Sequence, residues 1–406
     1  MASYQSKVGK TLRKKHSRSR TVTIVTNKMN PALLILLCLV LLGVFVFGGY
    51  KLFFDYIPAT FQPDDEIPKL DVSLIKNQEL SIHFLELGNK FTGDCTLVKV
   101  GDVEVLIDAG SRVNSIPTIT KYLNQYVDDK IIEYVIVTHA HRDHYAGFAT
   151  STSQDSIFDL YDVKTVIQFA QVTEETKSKQ IYGNYQRELS ELQARCATKV
   201  YTAKDCMTGD NGALKEYELS ENIKLEILDQ CYYYEVASDE NNHSVCCQIV
   251  QNDSKYYLFT GDLESAGEAS LVASNELQQV ELYKAGHHGS GTSSSATLLE
   301  VIKPKHVCVC CCAGSSEYTD TNENQFPTQE FIDRIAPYTD EVYVTTLSVD
   351  YANNNFTSMN GNIVIFNNQA DETITIKCSN HSTKLKNTKW FNQNRILPPN
   401  WYEQSA

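Results

Sequence analysis

Six consecutive residues, His139 to His144, constrain this chain more than any other stretch. They read His-Ala-His-Arg-Asp-His and follow an apolar run, Ile131 to Val137, whose β-branched residues predict a buried strand. Alternate residues of an extended segment point the same way, so His139 and His141 can face one metal ion while Asp143 and His144 turn toward a second. Imidazole and carboxylate are the usual donors to zinc and its neighbours. The spacing therefore predicts a two-metal loop at the end of a strand, against the alternative of a surface loop that is rich in histidine by chance.

The spacing His-x-His-x-Asp-His after a strand resembles the signature of the metallo-β-lactamase superfamily, whose members use one or two metals to activate water for hydrolysis. Two further segments, LFTGDLE (258–264) and LYKAGHHGSGTSSS (282–295), resemble the extracytoplasmic hydrolase domain of bacterial competence (DNA-uptake) proteins and its stand-alone relatives. The resemblance covers roughly residues 80 to 380. It implies an α/β fold, an αββα sandwich of two mixed β-sheets flanked by helices, and two divalent metal ions, zinc or, in its place, manganese.

The resemblance also implies roles for residues outside the first motif. Asp262 lies in the family's Gly-Asp context and is the expected bridging carboxylate, although an Asp here could instead cap the following helix. By the same likeness His288 is expected on the second metal beside Asp143 and His144. His287 would then contact the scissile group or protonate the leaving group, and an exchange of roles between His287 and His288 is left open. The expected catalytic residues are therefore His287, Asp143 and Asp262.

Other positions are expected around the metals rather than on them. Asp108, in Asp-Ala-Gly after a strand, resembles a family motif that orients a ligand histidine, or it is an ordinary strand-ending turn. The hydroxyls of Ser290, Thr292 and Ser293 could hydrogen-bond an anionic oxygen near a helix N-terminus.

Two positions depart from the competence-type pattern. His243 stands where those relatives resemble Asn-x-Asn-Ser, so it either completes a three-histidine site or only lies near it. The segment 324–327, Asn-Gln-Phe-Pro, lacks the histidine that relatives carry before the proline.

Charge and hydropathy divide the chain. Residues 1–54 contain nine Lys or Arg and no Asp or Glu, and the other residues carry 27 Lys or Arg against 50 Asp or Glu, a net charge of −23. Pro31 to Tyr50 is uncharged and long enough to span a bilayer as a helix. The rival interpretation of this segment is a cleaved signal peptide. We expect a single-pass protein of the cell membrane with its N-terminus cytoplasmic and its catalytic domain extracytoplasmic. The expected segments are a basic tail (1–30), an anchor (31–54), a stalk (55–75), the hydrolase domain (76–380) and a C-terminal extension (381–406).

Within the hydrolase domain, strands and helices interleave. The pattern predicts a strand over Leu80 to Leu87, hairpins over Cys95 to Ile107 and Val245 to Phe259, and one long helix over Glu174 to Arg195. The run His-Val-Cys-Val-Cys-Cys-Cys (306–312) reads as a strand that uses cysteine as a small core residue, and a thiolate metal site is the alternative.

The leading functional hypothesis is a phosphodiesterase or related hydrolase acting on a small molecule, a surface polymer or single-stranded nucleic acid. The acidic domain disfavours a long polyanion unless a local basic patch is present, because nucleic-acid affinity comes chiefly from Lys and Arg. Amide or lactone hydrolysis of the β-lactamase kind is the second hypothesis, favoured if His243 binds metal. A non-catalytic surface binding module is the third. The sequence indicates membrane contact through the N-terminal helix and does not identify a protein partner.

Overall fold

The computed structural model describes residues 70–367 and 373–402. The predicted basic tail and membrane anchor lie outside these ranges, as does most of the predicted stalk. Within them, every helix is too short or too polar to cross a bilayer.

Sixteen strands and eleven α-helices are found in the described ranges. The strands are β1 Ser81–Phe84, β2 Thr96–Val100, β3 Val103–Ile107, β4 Ile131–Val137, β5 Asp162–Gln168, β6 Lys199–Thr202, β7 Glu216–Ser220, β8 Ile223–Leu228, β9 Cys246–Gln251, β10 Lys255–Phe259, β11 Leu282–Lys284, β12 His306–Ala313, β13 Val342–Asp350, β14 Asn355–Ser358, β15 Ile363–Asn367 and β16 Ile374–Cys378. The helices are α1 Val72–Lys76, α2 Ile116–Leu123, α3 Arg142–Tyr145, α4 Ile157–Leu160, α5 Glu174–Lys177, α6 Gln180–Cys196, α7 Ala203–Thr208, α8 Ser265–Ser274, α9 Ala296–Ile302, α10 Gln329–Ile335 and α11 Lys389–Asn394.

The strands of the described part form two eight-stranded mixed sheets. The order in the first sheet is β16-β15-β1-β2-β3-β4-β5-β6, and in the second β14-β13-β12-β11-β10-β9-β8-β7. In the first, β3, β4, β5 and β6 run parallel to one another. In the second, β10, β11, β12 and β13 do so. Parallel strands end at a common edge, so the loops after β3 and β4 meet at one sheet and those after β10 and β11 at the other.

One buried cluster joins the two sheets, because it contains Leu97 and Val105 of the first sheet together with Ile249 and Tyr257 of the second. A second cluster lies between β11–β13 and helices α8, α9 and α10, with Leu271, Leu298 and Phe331 as its helical members. Helix α6 packs Tyr185, Leu189 and Leu192 against the first cluster. Helices therefore cover the sheets on the outside, and the predicted two-sheet α/β architecture is confirmed.

The cysteine-rich run is a strand, β12, as predicted. Cys308 and Cys310 belong to the cluster between the sheets, whereas Cys311 belongs to the cluster beneath the helices. Side chains of a strand alternate between its faces, so these thiols do not converge on one point. They serve as core residues.

Two segments differ from the sequence-based expectation. The single helix predicted from Glu174 to Arg195 is divided, because Lys179 between α5 and α6 has extended backbone angles (φ −78°, ψ 137°). The predicted C-terminal extension contributes to the core, since Trp390, Phe391 and Trp401 are buried in the second cluster.

Candidate metal centre

The loop after β4 brings the first two histidines together. His139 Nε2 and His141 Nδ1 lie 3.1 Å apart. His141 has extended backbone angles and immediately precedes α3. Asn241 is the third group here, because its Oδ1 lies 2.8 Å from His141 Nδ1. We call His139, His141 and Asn241 the imidazole half of the centre.

A second group gathers at the point where the two sheet edges meet. His144 Nε2 lies 3.1 Å from Asp262 Oδ2 and 3.3 Å from His288 Nε2. His288 Nε2 in turn lies 3.2 Å from Asp262 Oδ2 and 3.4 Å from Asp143 Oδ2. We call Asp143, His144, Asp262 and His288 the carboxylate half of the centre. Asp262 follows β10 and His288 follows β11, whereas Asp143 and His144 lie in the loop after β4. This half therefore brings together residues as far apart in the chain as Asp143 and His288, which are separated by 145 positions.

Hydrogen bonds on the far side of both rings determine which nitrogen faces the group. His144 Nδ1 donates to Asp108 Oδ2 at 2.7 Å, and His288 Nδ1 donates to the carbonyl oxygen of Cys310 at 2.8 Å. A carboxylate or a carbonyl oxygen can only accept, so Nδ1 carries a proton and Nε2 is left to face the centre. Asp108 is itself held by the backbone N–H and hydroxyl of Thr138, at 2.8 and 2.7 Å.

The turn that carries Asp108 packs tightly against the metal loop. A Cβ on Gly110 would lie 1.5 Å from the carbonyl oxygen of Asp143, so only glycine fits there. The N–H of Ala109 donates to the carbonyl oxygen of His144, and the N–H of Asp94 donates to that of Asp143. Loops after two neighbouring strands are thus fastened to each other, which fixes the positions of Asp143 and His144.

His287 and His288 face different surroundings although they are adjacent. Both have left-handed backbone angles, with φ of 46° and 56°. His287 Nδ1 lies 2.9 Å from the Thr292 hydroxyl, and its Nε2 lies 4.0 Å from Asp262 Oδ2. The structure therefore brings His288 into the carboxylate half and leaves His287 at its margin, facing a cleft.

His243 is not brought into the group. Its Nδ1 lies 3.0 Å from Glu240 Oε1, and its Nε2 accepts from the backbone N–H of Ala237 at 2.9 Å. Both ring nitrogens are engaged, and a third imidazole on the first metal is excluded in this arrangement. Its neighbours approach the centre instead, because Ser244 Oγ accepts from the N–H of Asp262 at 3.0 Å and lies 3.3 Å from His139 Nδ1.

The Ser-rich segment serves the fold more than a ligand. Ser293 is buried and donates to the carbonyl oxygen of Leu263 at 2.7 Å. Ser290 is also buried, and its hydroxyl lies 3.1 Å from that of Thr292. The backbone N–H groups of Ser294 and Ser295 donate to the carboxylate of Glu268. The predicted anion site at the start of α9 is therefore already filled by Glu268. Of the three predicted hydroxyls, that of Thr292 contacts His287.

Two charged residues behind the carboxylate half escaped the sequence analysis. Asp94 lies 3.3 Å from Nδ1 of His288 and 3.7 Å from Nδ1 of His144, behind both rings. Lys284 is buried, forms an ion pair with Asp94 and lies 3.6 Å from Asp262 Oδ1. The available signal was Lys284 itself, because a lysine inside an apolar strand requires a buried acid as partner.

A loop after β12 covers the centre. The Tyr318 hydroxyl donates to Asp143 Oδ2 at 2.6 Å. The Phe326 ring lies 5.7 Å from the ring of His287 and 5.8 Å from that of His288. Phe326 is the residue before Pro327, where the competence-type pattern has histidine. An aromatic ring thus stands in place of an imidazole, and Tyr318 supplies the polar group that reaches the centre from this loop.

The electrostatics of the carboxylate half favour positive charge. Burial by itself lowers the pKa of His144, but Asp262, Asp108 and Asp94 outweigh it and raise this pKa to about 10. In the imidazole half the balance is opposite, because burial and the neighbouring His144 lower the pKa of His139.

The donor set fits a divalent metal. One ligand atom from each of Asp94, His144, Asp262 and His288 lies within 4.8 Å of the others, and all four residues are buried. Asp94 lies on the Nδ1 side of both rings, so the members of this group that face the centre are His144, Asp262 and His288. Asp262 Oδ1 is a buried carboxylate oxygen without a hydrogen-bond donor among the described residues. Lys284 Nζ lies 3.6 Å from this oxygen, beyond hydrogen-bond distance, so a directly bound cation is still needed to satisfy it. Imidazole nitrogen with carboxylate oxygen is the combination used by zinc and related ions.

A cleft of about 430 Å³ opens over the centre. His141, Asp143, Asp262, His287 and Tyr318 lie in its wall. Three basic residues, Arg112, Arg142 and Lys179, complete its charged lining. A substrate in this cleft would therefore lie near both the metal residues and these cations.

Comparison with known proteins agrees with this site. Residues 88–154, which contain Asp94, Asp108 and the whole His139–His144 motif, match the family model of the metallo-β-lactamase superfamily. Competence protein ComA of Neisseria gonorrhoeae is 34% identical over 113 residues, 27% of this chain and 15% of ComA. Recombination protein 2 of Haemophilus influenzae is 29% identical over 113 residues, 28% of this chain and 13% of that protein. The matches thus span less than a fifth of either relative.

Among solved structures, the metallo-β-lactamase fold protein YhfI of Bacillus subtilis aligns with 66% of this chain and 96% of its own, at 11% identity and a TM-score of 0.38. The sequence matches, the two-sheet fold and the Asp/His centre are consistent with one another. Residues 88–154 of this chain match the metallo-β-lactamase superfamily, and a 113-residue segment is similar to competence proteins.

Proposed function

We propose that this protein is a metal-dependent hydrolase that cleaves phosphodiesters on the outer side of a membrane. One observation carries the proposal: the buried Asp/His centre, with an unsatisfied oxygen on Asp262, lies in the wall of a cleft whose remaining charges are Arg112, Arg142 and Lys179. Three cations in the same cleft favour an anionic substrate over a neutral amide or lactone.

His139, His141, Asp143, His144, Asp262 and His288 would hold the metal ions, zinc or manganese. When bound, such ions lower the pKa of coordinated water and stabilise the charge that develops on the phosphoryl oxygens. The remaining steps fall to the protein. Asp108 keeps the ring of His144 oriented through its Nδ1, as outer carboxylates commonly do for ligand histidines. Lys284 offsets the negative charge of Asp94 and Asp262 from behind.

His287 is placed for proton transfer. Its Nδ1 is held by the Thr292 hydroxyl at 2.9 Å, and the ring faces the cleft beside Asp262. A proton on Nε2 would be available to the leaving oxygen of a phosphodiester in that cleft. Tyr318 orients Asp143 through its hydroxyl.

The same contacts give less support to the competing functions. Hydrolysis of the β-lactamase kind was favoured by a metal-bound His243, and both nitrogens of that ring are engaged elsewhere. A non-catalytic binding module would not require His287, a group able to transfer a proton, in the wall of the cleft beside Asp262. The membrane anchor predicted at residues 31–54 lies outside the described residues. It enters the proposal on the basis of the sequence pattern.

The test is hydrolysis of bis-p-nitrophenyl phosphate by the full-length zinc- or manganese-loaded protein, beside turnover of a chromogenic cephalosporin. We expect phosphodiester turnover that falls about 1,000-fold in Asp262→Asn. The matched control is Asp253→Asn, whose side chain is 89% exposed on the β9–β10 hairpin and should leave turnover unchanged. Cephalosporin turnover without phosphodiester turnover would overturn the proposal in favour of the lactamase-type reaction.

A further inference from the structure

The cleft over the metal centre continues into a second one. The second cleft has a volume of about 560 Å³ and shares Arg112, Arg142, Lys179 and Ile181 with the first. Residues that line both must lie where the two meet. The three basic residues therefore stand between the metal centre and a further space, which we call the outer cleft.

The outer cleft has no acidic lining in the described part of the chain. Its other residues are small, apolar or amide-bearing, namely Val113, Ala146, Ala149, Ser151, Gln154, Gln180 and Asn184. The chain beyond residue 54 carries 27 basic against 50 acidic residues, so a groove with three cations and no carboxylate is a local reversal of the average charge. This is the basic patch that an acidic domain needs if it is to hold a polyanion.

The three cations differ in how far their charge is already neutralised. Arg112 forms an ion pair with Glu317, whose side chain is 5% exposed. Lys179 pairs with Glu175 at 2.9 Å, but both side chains are largely in solvent, where such pairs are weak. Arg142 is exposed and forms no ion pair within residues 70–367 and 373–402. Arg142 thus has the most charge available for a ligand, with Lys179 second.

Local structure explains why these cations meet at this point. Arg142 begins α3 between His141 and Asp143, so the loop that supplies the metal residues also holds a cation at the entrance. Lys179 is the extended residue that separates α5 from α6, and this interruption brings it and Ile181 to the same cleft. A continuous helix over 174–195 would not have this turn.

From this geometry we infer that the outer cleft is a subsite for a second phosphate group of the substrate, one unit beyond the scissile phosphoester, held by Arg142 and Lys179. The inference rests on the proposed phosphodiesterase function. Ser151, Gln154, Gln180 and Asn184 offer hydrogen bonds to the uncharged part between the phosphates. The second phosphate can be a terminal phosphomonoester of a small substrate or the next diester of a polymer.

Binding of uncleavable ligands tests the subsite separately from catalysis. The probes are thymidine dinucleotides with an uncharged methylphosphonate linkage, carrying no terminal phosphate, a 5′-phosphate or a 3′-phosphate. Isothermal titration with the full-length protein should show about three- to tenfold tighter binding when one terminal phosphate is present. Arg142→Ala should abolish most of that gain, and Lys179→Ala part of it, without weakening the probe that lacks the phosphate.

Lys177→Ala is the matched control, because Lys177 lies on α5, pairs with Glu174 and lines neither cleft. In this variant the gain in affinity from the terminal phosphate should equal that of the wild type. A trinucleotide whose second linkage is a phosphorothioate diester, which keeps the negative charge and resists hydrolysis, separates the two sources. A similar gain in affinity indicates a polymer, and a gain for the terminal phosphate alone indicates a small substrate.

Two results would overturn the subsite: equal affinity with and without the terminal phosphate, or an Arg142→Ala variant that weakens all probes equally. Thermal melts of each variant show whether it is folded, and Lys179→Ala provides a second reading if Arg142→Ala is not. A phosphate gain in a protein that hydrolyses no diester would leave the subsite in place and contradict only the proposed function.

Discussion

The two halves of the metal centre differ in the charge of the groups that surround them. The carboxylate half has Asp143 and Asp262 beside its imidazoles, with Asp94 and Asp108 behind them. The imidazole half has His139 and His141, and its third group is the neutral amide of Asn241. Negative charge raises the affinity for a divalent cation, so we expect the carboxylate half to bind metal first and more tightly. One half of the centre would then hold its ion firmly while the other depends on the available metal concentration.

The largest expected effect comes from removing one histidine from each half. His288→Ala should abolish the tight site, because His288 Nε2 faces both Asp143 and Asp262. His139→Ala should leave the tight site and remove the weaker ion. Either change should lower phosphodiester turnover by about 100- to 1,000-fold. Metal content measured by mass spectrometry distinguishes the variants. An equal loss of bound metal in both would contradict the proposal that the carboxylate half binds its ion more tightly than the imidazole half.

The orientation of His144 gives the next effect. Asp108→Asn replaces the charged acceptor of His144 Nδ1 and should lower the zinc affinity of the carboxylate half by about 10- to 100-fold. Asp102→Asn, at the exposed turn of the same β2–β3 hairpin, is the control and should change nothing. An unchanged zinc affinity in Asp108→Asn would show that the ring is held in place by packing alone.

Tyr318 tests whether the covering loop contributes to the carboxylate half. Tyr318→Phe removes the hydroxyl that donates to Asp143 and should lower kcat about tenfold while metal content stays the same. Tyr402→Phe alters a ring that is 61% exposed and is the matched control. A drop in metal content with unchanged kcat per bound ion would instead assign Tyr318 to metal retention.

His243 tests the composition of the imidazole half. His243→Gln should leave metal content and turnover unchanged, because within the described ranges the ring nitrogens bond to Glu240 and to the backbone of Ala237. Its cost should appear in the free energy of unfolding, at about 1–3 kcal/mol for unpairing buried polar groups. Loss of one metal ion in this variant would show that His243 is a third histidine ligand. The imidazole half as defined by His139, His141 and Asn241 would then be wrong.

The smallest effect concerns pH and the same buried pair. Burial alone raises the pKa of Glu240, but hydrogen bonds from His243 and Thr173 outweigh it and lower this pKa to about 2. A lowered carboxyl pKa stabilises the fold above about pH 4.5, and this stabilisation is lost as the pH falls from there toward 2. Denaturant unfolding of wild type and Glu240→Gln should differ in slope with pH only in that window, by on the order of 2 kcal/mol.

Much of the fold could be predicted from local sequence, and the reasons are physical. The β4 run, both predicted hairpins and the cysteine strand follow from side-chain alternation and turn residues, which act over a few positions. The loop after β4 places His139 and His141 together because two-residue spacing on an extended segment needs no distant partner.

The remaining site residues depend on distant pairing. Asp94 and Lys284 meet only because the edges of two different sheets come together, so Lys284 in its apolar strand indicates that a buried acid is needed but not which one. Tyr318 reaches Asp143 from a loop 175 residues away. His243 has the residue type of a ligand, but a short 3₁₀ turn over Glu240–His243 directs its ring toward Glu240. Such outcomes are decided by the folded arrangement and not by residue type.

An equilibrium titration of zinc into the metal-free full-length protein, with bis-p-nitrophenyl phosphate turnover followed at each point, tests the central claim most directly. We predict about two ions per chain, the first bound at least tenfold more tightly than the second, with turnover rising as the second binds. No zinc binding, or turnover that does not depend on added zinc or manganese, would contradict the account of this centre as a metal-dependent phosphodiesterase.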